Sequence, residues 1–206
     1  MLALSLATAG VAAAATTPEF KPVPTKHKFK GTSGTLTLTN ENDVYTCPKG
    51  TVTGEITGGR NVGNAVMTFT GCTSKDGLST ESCPVNTQGA KSGEIVTEAL
   101  TGELGTVATT EAPSGVGLRL KPELVKKWWI IEGNKCTGSS AWNGSVAAEV
   151  AVIGKKQTTN KLVIRPEIEK IKLDSGVSEG LELEDGFLAT FETTTEVTFE
   201  EALEVT

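Results

Sequence analysis

From residue 34 onward the chain runs in short stretches of alternating apolar and polar residues, broken by glycine, proline and asparagine. GTLTLT places Leu36 and Leu38 on one face and threonine on the other, and VMTFTGC repeats the alternation less cleanly through Val66 or Met67 and Phe69. GEIVT, VGLRL, WWIIE, SVAAEVAVIG and KLVIRPEIEKIKL follow, mostly short and bounded by turn formers. A period of two is that of a strand with one buried face, and no stretch of helical length carries the 3.6-residue period. The pattern predicts an all-β fold, an antiparallel β-sandwich of jelly-roll or Greek-key type. The alternative is a β-barrel, whose strands alternate in the same way.

The cleanest alternation closes the chain. In TTTEVTFEEALEVT, Val197, Phe199, Leu203 and Val205 share one parity and Glu196, Glu200 and Glu204 the other, which predicts a strand with one buried and one acidic face. Charge sharpens this picture. The net charge of −6 divides into 19 basic and 15 acidic residues through Lys172, then ten acidic and no basic residues over 173–206. An acidic strand is favoured beside strands carrying Lys161, Arg165, Lys170 or Lys172, since opposite charges across a strand pair attract. A smaller regularity is the triplet of GEIT at 54, GEIVT at 93 and GELGT at 102. Its unequal spacing excludes a solenoid, and it reads as one strand-entry device: glycine for the turn, glutamate outward, an aliphatic residue inward.

At the other end, MLALSLATAGVAAAA is uncharged, apolar and small, and its alanine run offers sites for a signal peptidase near Ala13 or Ala15, although a basic n-region is missing. Residues 1–15 are therefore expected to be a signal peptide and the protein to be secreted, with no later stretch long enough for a membrane-spanning helix. Residues 16–32 concentrate proline and lysine and predict an extended leader, pinned in part by Phe20 and Phe29. Residues 33–206 are then a single β domain.

Export decides the chemistry of the four cysteines. In an oxidising compartment Cys47, Cys72, Cys83 and Cys136 pair, while CxxC is absent and the single His27 lies far from all of them, against the usual zinc spacings. Of the three connectivities, Cys72 with Cys83 and Cys47 with Cys136 is the expectation, because the first pair closes a short polar loop.

Catalysis is poorly provided for. With one histidine, expected to be exposed, no Ser-His-Asp or Cys-His arrangement has a base. A carboxylate pair of the glycosidase kind can be drawn from 25 acids, but their separations are not written in the sequence. ITGGRNVGNA lacks the ending of a phosphate-binding loop, and the dispersed lysines of an acidic chain do not suggest nucleic acid. No cofactor is expected. LDSGVSEGLELEDG, with Asp174, Glu179, Glu182, Glu184 and Asp185, is the candidate for Ca2+, though it matches no EF-hand spacing.

Trp128, Trp129 and Trp142 are the candidate ligand-binding residues. They flank Cys136 in a chain with few other aromatics, and adjacent strand residues point to opposite faces, so one of Trp128 and Trp129 is expected to be exposed and able to stack on a sugar or partner. The plainer reading places one ring in the core and the other under the stem of Lys126 or Lys127.

The order GEITGGRNVGNAVMTFTGC, Cys83, AKSGEIVTEALTGELGTV, VGLRLKP, Cys136, GSVAAEVAVIG and EEALEV resembles a family of uncharacterised secreted, four-cysteine, β-rich proteins of soil-dwelling high-GC Gram-positive bacteria. The resemblance implies export and these cysteine positions, and no activity. The functional expectation is an exported non-enzymatic binding or cell-surface structural module whose partner is a polysaccharide or a cell-surface protein, with carbohydrate binding through exposed tryptophan. The alternative is a carboxylate-dependent secreted glycan hydrolase.

Overall fold

The computed structural model describes residues 17–23, 25–40, 43–76, 81–108, 113–123, 127–136, 138–165, 170–173, 176–177, 181–183 and 189–206. Residues 1–15, expected to be a signal peptide, lie outside these residues. In chain order the strands are β1 (Phe20–Lys21), β2 (His27–Ser33), β3 (Leu36–Thr39), β4 (Asp43–Cys47), β5 (Lys49–Ile56), β6 (Asn61–Thr70), β7 (Thr73–Asp76), β8 (Cys83–Pro84), β9 (Glu94–Val96) and β10 (Leu100–Ala108). They continue with β11 (Pro113–Pro122), β12 (Lys127–Ile131), β13 (Ser140–Gly144), β14 (Val146–Val150), β15 (Gln157–Ile164), β16 (Lys170–Leu173), β17 (Gly176–Val177), β18 (Leu181–Leu183) and β19 (Thr190–Val205). No helix occurs among the described residues, as the absence of a 3.6-residue period predicts.

Eight strands form a ring in the order β15-β14-β11-β10-β6-β5-β2-β19, and the pairing of β19 with β15 closes it. Every pair is antiparallel. The ring satisfies both descriptions expected from the sequence, a sandwich with joined edges or a barrel. Closure removes the open edges that would otherwise template pairing with another chain. The final strand behaves as its alternation predicts: Val197, Phe199, Leu203 and Val205 are buried, and Glu196 and Glu200 are exposed. Lys161 of β15 stands opposite Glu196, so the acidic strand does lie beside a basic position.

β19 also joins the ring to a second sheet. Thr193–Leu203 belongs to the ring, whereas Thr190–Glu192 pairs with β3, from which β4, β7 and β8 continue outward. A separate three-stranded sheet runs β12-β13-β18.

Inside the ring, Phe29, Ile56, Val62, Leu104, Leu118, Val197 and Phe199 face one another. The two voids between them are about 30 and 20 Å³, too small for an organic ligand, so the interior is a packed core. Several of its buried polar groups are paired, although Thr193 Oγ1 on β19 has no partner. Ser33 Oγ lies 2.8 Å from Thr195 Oγ1. Asn160 accepts from the Lys161 and Val152 amides and donates to the Val152 carbonyl, which pins the turn before the strand that closes the ring.

Two sequence expectations need correction here. Residues 27–32, expected to belong to an extended leader, form most of β2, which sits between β5 and β19 in the ring. The lysines that suggested a linker occupy the exposed parity of a strand, Lys28 and Lys30 outward against Phe29 inward. His27, expected to be exposed, is half-buried as the first residue of this strand, opposite Ile56. Phe20 and Phe29 do hold the segment down, with Phe20 in β1 paired to Val205.

The cysteines form two disulfides, as expected, but with the other connectivity: Cys47 with Cys72 and Cys83 with Cys136. Strand register is the reason. Thr46 of β4 pairs with Thr73 of β7, so the next position brings Cys47 opposite Cys72, with 4.1 Å between their Cα atoms. Cys83 stands opposite Ser74, two residues beyond Cys72, and its sulfur is directed instead to the loop after β12. Shortness of the intervening loop is the wrong criterion, because the pairing of β4 and β7 already commits Cys72.

Gly31 marks the tightest approach in the ring. A Cβ there would collide with the Glu196 carbonyl oxygen and lie 2.9 Å from Val52 Cγ1 and 3.1 Å from Val197 Cα, two backbone atoms among three obstacles. Gly31→Ala is expected to destabilise by about 1–3 kcal/mol, read as a lower urea midpoint at unchanged slope. Gly138→Ala, at a position with nothing within 4 Å, should leave the midpoint in place.

Candidate functional site

The three tryptophans do come together, but inward. Trp128 is 0% exposed, Trp129 2% and Trp142 0%, so the expected exposed ring is absent. A register shift between Lys127 and Trp129 explains this, since a bulge in β12 breaks the alternation that would have put the neighbours on opposite faces. Exposure falls instead on Ile130, 38% exposed. The rings join an aromatic cluster with Phe191 at its centre: Trp129 stacks on it at 5.9 Å, Trp128 lies at 5.9 Å and Phe69 at 6.2 Å. Trp142 meets Tyr45 edge-on at 5.8 Å. Strands of both sheets and the ring supply these residues, so the cluster fastens the three-stranded sheet to the rest of the molecule. Trp128 Nε1 donates to the Gly144 carbonyl and Trp142 Nε1 to Ser140 Oγ, both at 3.0 Å, whereas Trp129 Nε1 is buried with no partner.

Polar grooves on the outside are better placed to meet a ligand. The larger, about 490 Å³, lies over β6, β10 and β11 and is lined by Thr57, Asn61, Asn64, Glu103, Arg119 and Lys121 among others. A bulge in β6 shapes it. Between Thr53 and Glu55 of β5, and again between Leu100 and Gly102 of β10, β6 spans one residue more than its partner: Val66 to Gly63, then Ala65 to Val62. Asn64 occupies the bulge at φ 50°, a left-handed conformation that asparagine tolerates better than most residues. Its Nδ2 donates to Glu55 Oε1 at 2.7 Å.

At the side of this groove Glu103 stands opposite both Asn61 and Arg119. Arg119 Nη2 donates to Glu103 Oε2 at 3.3 Å, Arg60 Nη2 lies 3.7 Å from Glu103 Oε1, and the same Arg60 nitrogen donates to the Leu104 carbonyl at 2.9 Å. All three side chains are about one-fifth exposed or less, at 18%, 21% and 16% for Arg60, Glu103 and Arg119. Two guanidinium groups thus converge on one carboxylate, and Lys121 follows Arg119 on the same face of β11. Glu123 also lines the groove, so Arg119 and Lys121 face two carboxylates there, and Arg60, which pairs with Glu103 from beside the lining, brings the set to one positive charge in excess.

A second groove, about 400 Å³, is lined by Thr87, Gln88, Glu94, Thr97, Glu98, Trp129 and Ile130 among others. The Gly-Glu-aliphatic triplet connects these places. Glu55 holds the bulge, Glu94 lines the second groove and Glu103 the first, while Ile56, Ile95 and Leu104 are buried. Glutamate outward and aliphatic inward holds at all three, but glycine serves a left-handed turn only at Gly93, with φ 78°.

Among the described residues, no three His, Cys, Asp or Glu side chains gather as a metal site. Most of the candidate Ca2+ segment, including Asp174, Glu179, Glu184 and Asp185, lies outside the described residues. Comparison with protein-family models, curated proteins and solved structures finds no match.

Proposed function

We propose that this protein is an exported, non-enzymatic binding module of the cell exterior, and that it binds acidic polysaccharide in the groove over the β6 bulge. The observation that carries this reading is the placement of Arg119 and Lys121 in the lining of a 490 Å³ groove, where Arg119 and the neighbouring Arg60 converge on Glu103. Guanidinium groups match carboxylates in planar, paired hydrogen bonds, and Asn61, Asn64, Thr57 and Thr101 add donors and acceptors for hydroxyl groups. The volume falls in the range of small-ligand sites, and the closed ring beneath holds the side chains in place. Two disulfides suit an oxidising exterior. Glu103 is already engaged by two cations, which fits a positioning role better than that of a free acid or base.

The test is affinity electrophoresis in gels containing polygalacturonate or a neutral glucan. Retardation by polygalacturonate is expected, weakening as salt is raised. The double variant Arg119→Ala with Lys121→Ala is expected to weaken binding tenfold or more, about 1.4 kcal/mol. Equal retardation of variant and parent would overturn the assignment of the groove. New reducing ends would replace binding by hydrolysis.

A further inference from the structure

We infer that Lys127 and Asn143 join through an isopeptide bond between their side chains, formed by the protein itself with Glu182 as the proton carrier. Lys127 of β12 stands directly opposite Asn143 of β13, and Asn143 directly opposite Glu182 of β18. An amine, an amide and an acid thus occupy one rung of the three-stranded sheet. Of the lysines paired in the described strands, Lys127 alone has an asparagine as its register partner. Directly opposed residues share a face, with about 5 Å between their Cβ atoms, and that gap is within reach of a lysine side chain.

A second observation marks the amide. Lys127 and Asn143 are half-buried, and Asn143 Oδ1 is cut off from solvent with no hydrogen-bond partner. An ammonium opposite an asparagine ordinarily donates to that oxygen, and a buried acceptor left unsatisfied is costly. A protonated carboxyl is the donor it lacks, and the register assigns that role to Glu182. The bond forms from the neutral amine, a nucleophile that needs only a proton carrier beside it. Nζ of Lys127 attacks Cγ of Asn143 while the carboxyl gives its proton to Oδ1. The carboxylate then takes a proton from Nζ and passes it to Nδ2. The Cγ–Nδ2 bond breaks, ammonia leaves, and Oδ1 returns its proton to Glu182. One C–N bond replaces another, no oxidant or reductant is consumed, and Glu182 ends as it began. Strand register supplies the proximity that makes an amide open to attack by an amine. The product ties β12 to β13 across the loop that carries Cys136.

The inference is independent of the acidic-polysaccharide groove and is tested by mass spectrometry of the full protein after reduction of its disulfides. The intact mass should be lighter by one ammonia than the sequence of the purified chain requires. A protease digest should contain a branched peptide in which fragmentation places the link between Lys127 and Asn143. Lys127→Arg, Asn143→Ala and Glu182→Gln are each expected to show the full mass of their own sequence and no branched peptide. Should these variants fail to fold, the branched peptide of the parent protein decides. A parent of full mass, or an unchanged cross-link in Glu182→Gln, overturns the inference. So does a loss of ammonia that survives in Lys127→Arg, since it would belong to succinimide closure at Asn143 and Gly144.

Discussion

Trp128→Ala is expected to cost about 3–5 kcal/mol, the range for removing a large aromatic side chain from a core. The ring is fully buried, lies against both Trp129 and Phe191, and donates to the Gly144 carbonyl. Its loss leaves a cavity where the three-stranded sheet is fastened to the rest of the molecule and removes a buried donor from the Gly144 carbonyl. Trp128→Phe separates the two effects: it retains most of the apolar volume and should lose much less, on the order of 1–2 kcal/mol for the hydrogen bond and residual void. Urea denaturation of both variants checks this, with the alanine variant showing the larger fall in midpoint. Equal stability of parent and Trp128→Ala would contradict a core role and return the tryptophan to the surface.

Removing Cys83–Cys136 by paired alanine substitution is expected to destabilise by about 4 kcal/mol, and removing Cys47–Cys72 by about 3.5 kcal/mol. The order follows from the sequence separations, 53 and 25 residues, because a cross-link over a longer stretch restricts the unfolded chain more. In the folded state the first bridge ties the loop after β12 to β8. Asn134 supports the same junction by donating to the Pro84 carbonyl at 2.9 Å, and its Oδ1 accepts from the Cys136 amide at 2.7 Å. A peptide map of the unreduced protein should recover Cys47 with Cys72 and Cys83 with Cys136. A peptide linking Cys72 to Cys83 would refute the register argument.

Alternation along single strands is legible in the residues themselves. The inward set on β19, the burial of Leu36 and Leu38, and the outward glutamates of the Gly-Glu-aliphatic triplet all follow from a period of two. The grooves are not legible there. Glu103 and Arg119 are 16 residues apart and become neighbours only because β10 and β11 pair in one register, and Arg60 reaches Glu103 from the position just before β6. The positive φ of Asn64 and the extra residue in β6 carry one weak signal, the glycine-rich stretch GGRNVGN, which suits a turn as well as a bulge. The tryptophans mislead for a related reason: the bulge at Lys127 to Trp129 is set by the pairing with β13, and it turns two adjacent residues to the same side.

By itself, then, the sequence determined that the chain is all-β, which faces of its strands are apolar, and that its four cysteines pair, because these depend on periodicity and on residue chemistry. Tertiary structure alone decided the closure of the ring through β15 and β19, the partners of each cysteine, and the burial of Trp128, Trp129 and Trp142. The physical reason is that register and bulges belong to pairs of strands. A one-residue offset between partners changes which side chains meet while leaving the alternation within each strand almost untouched.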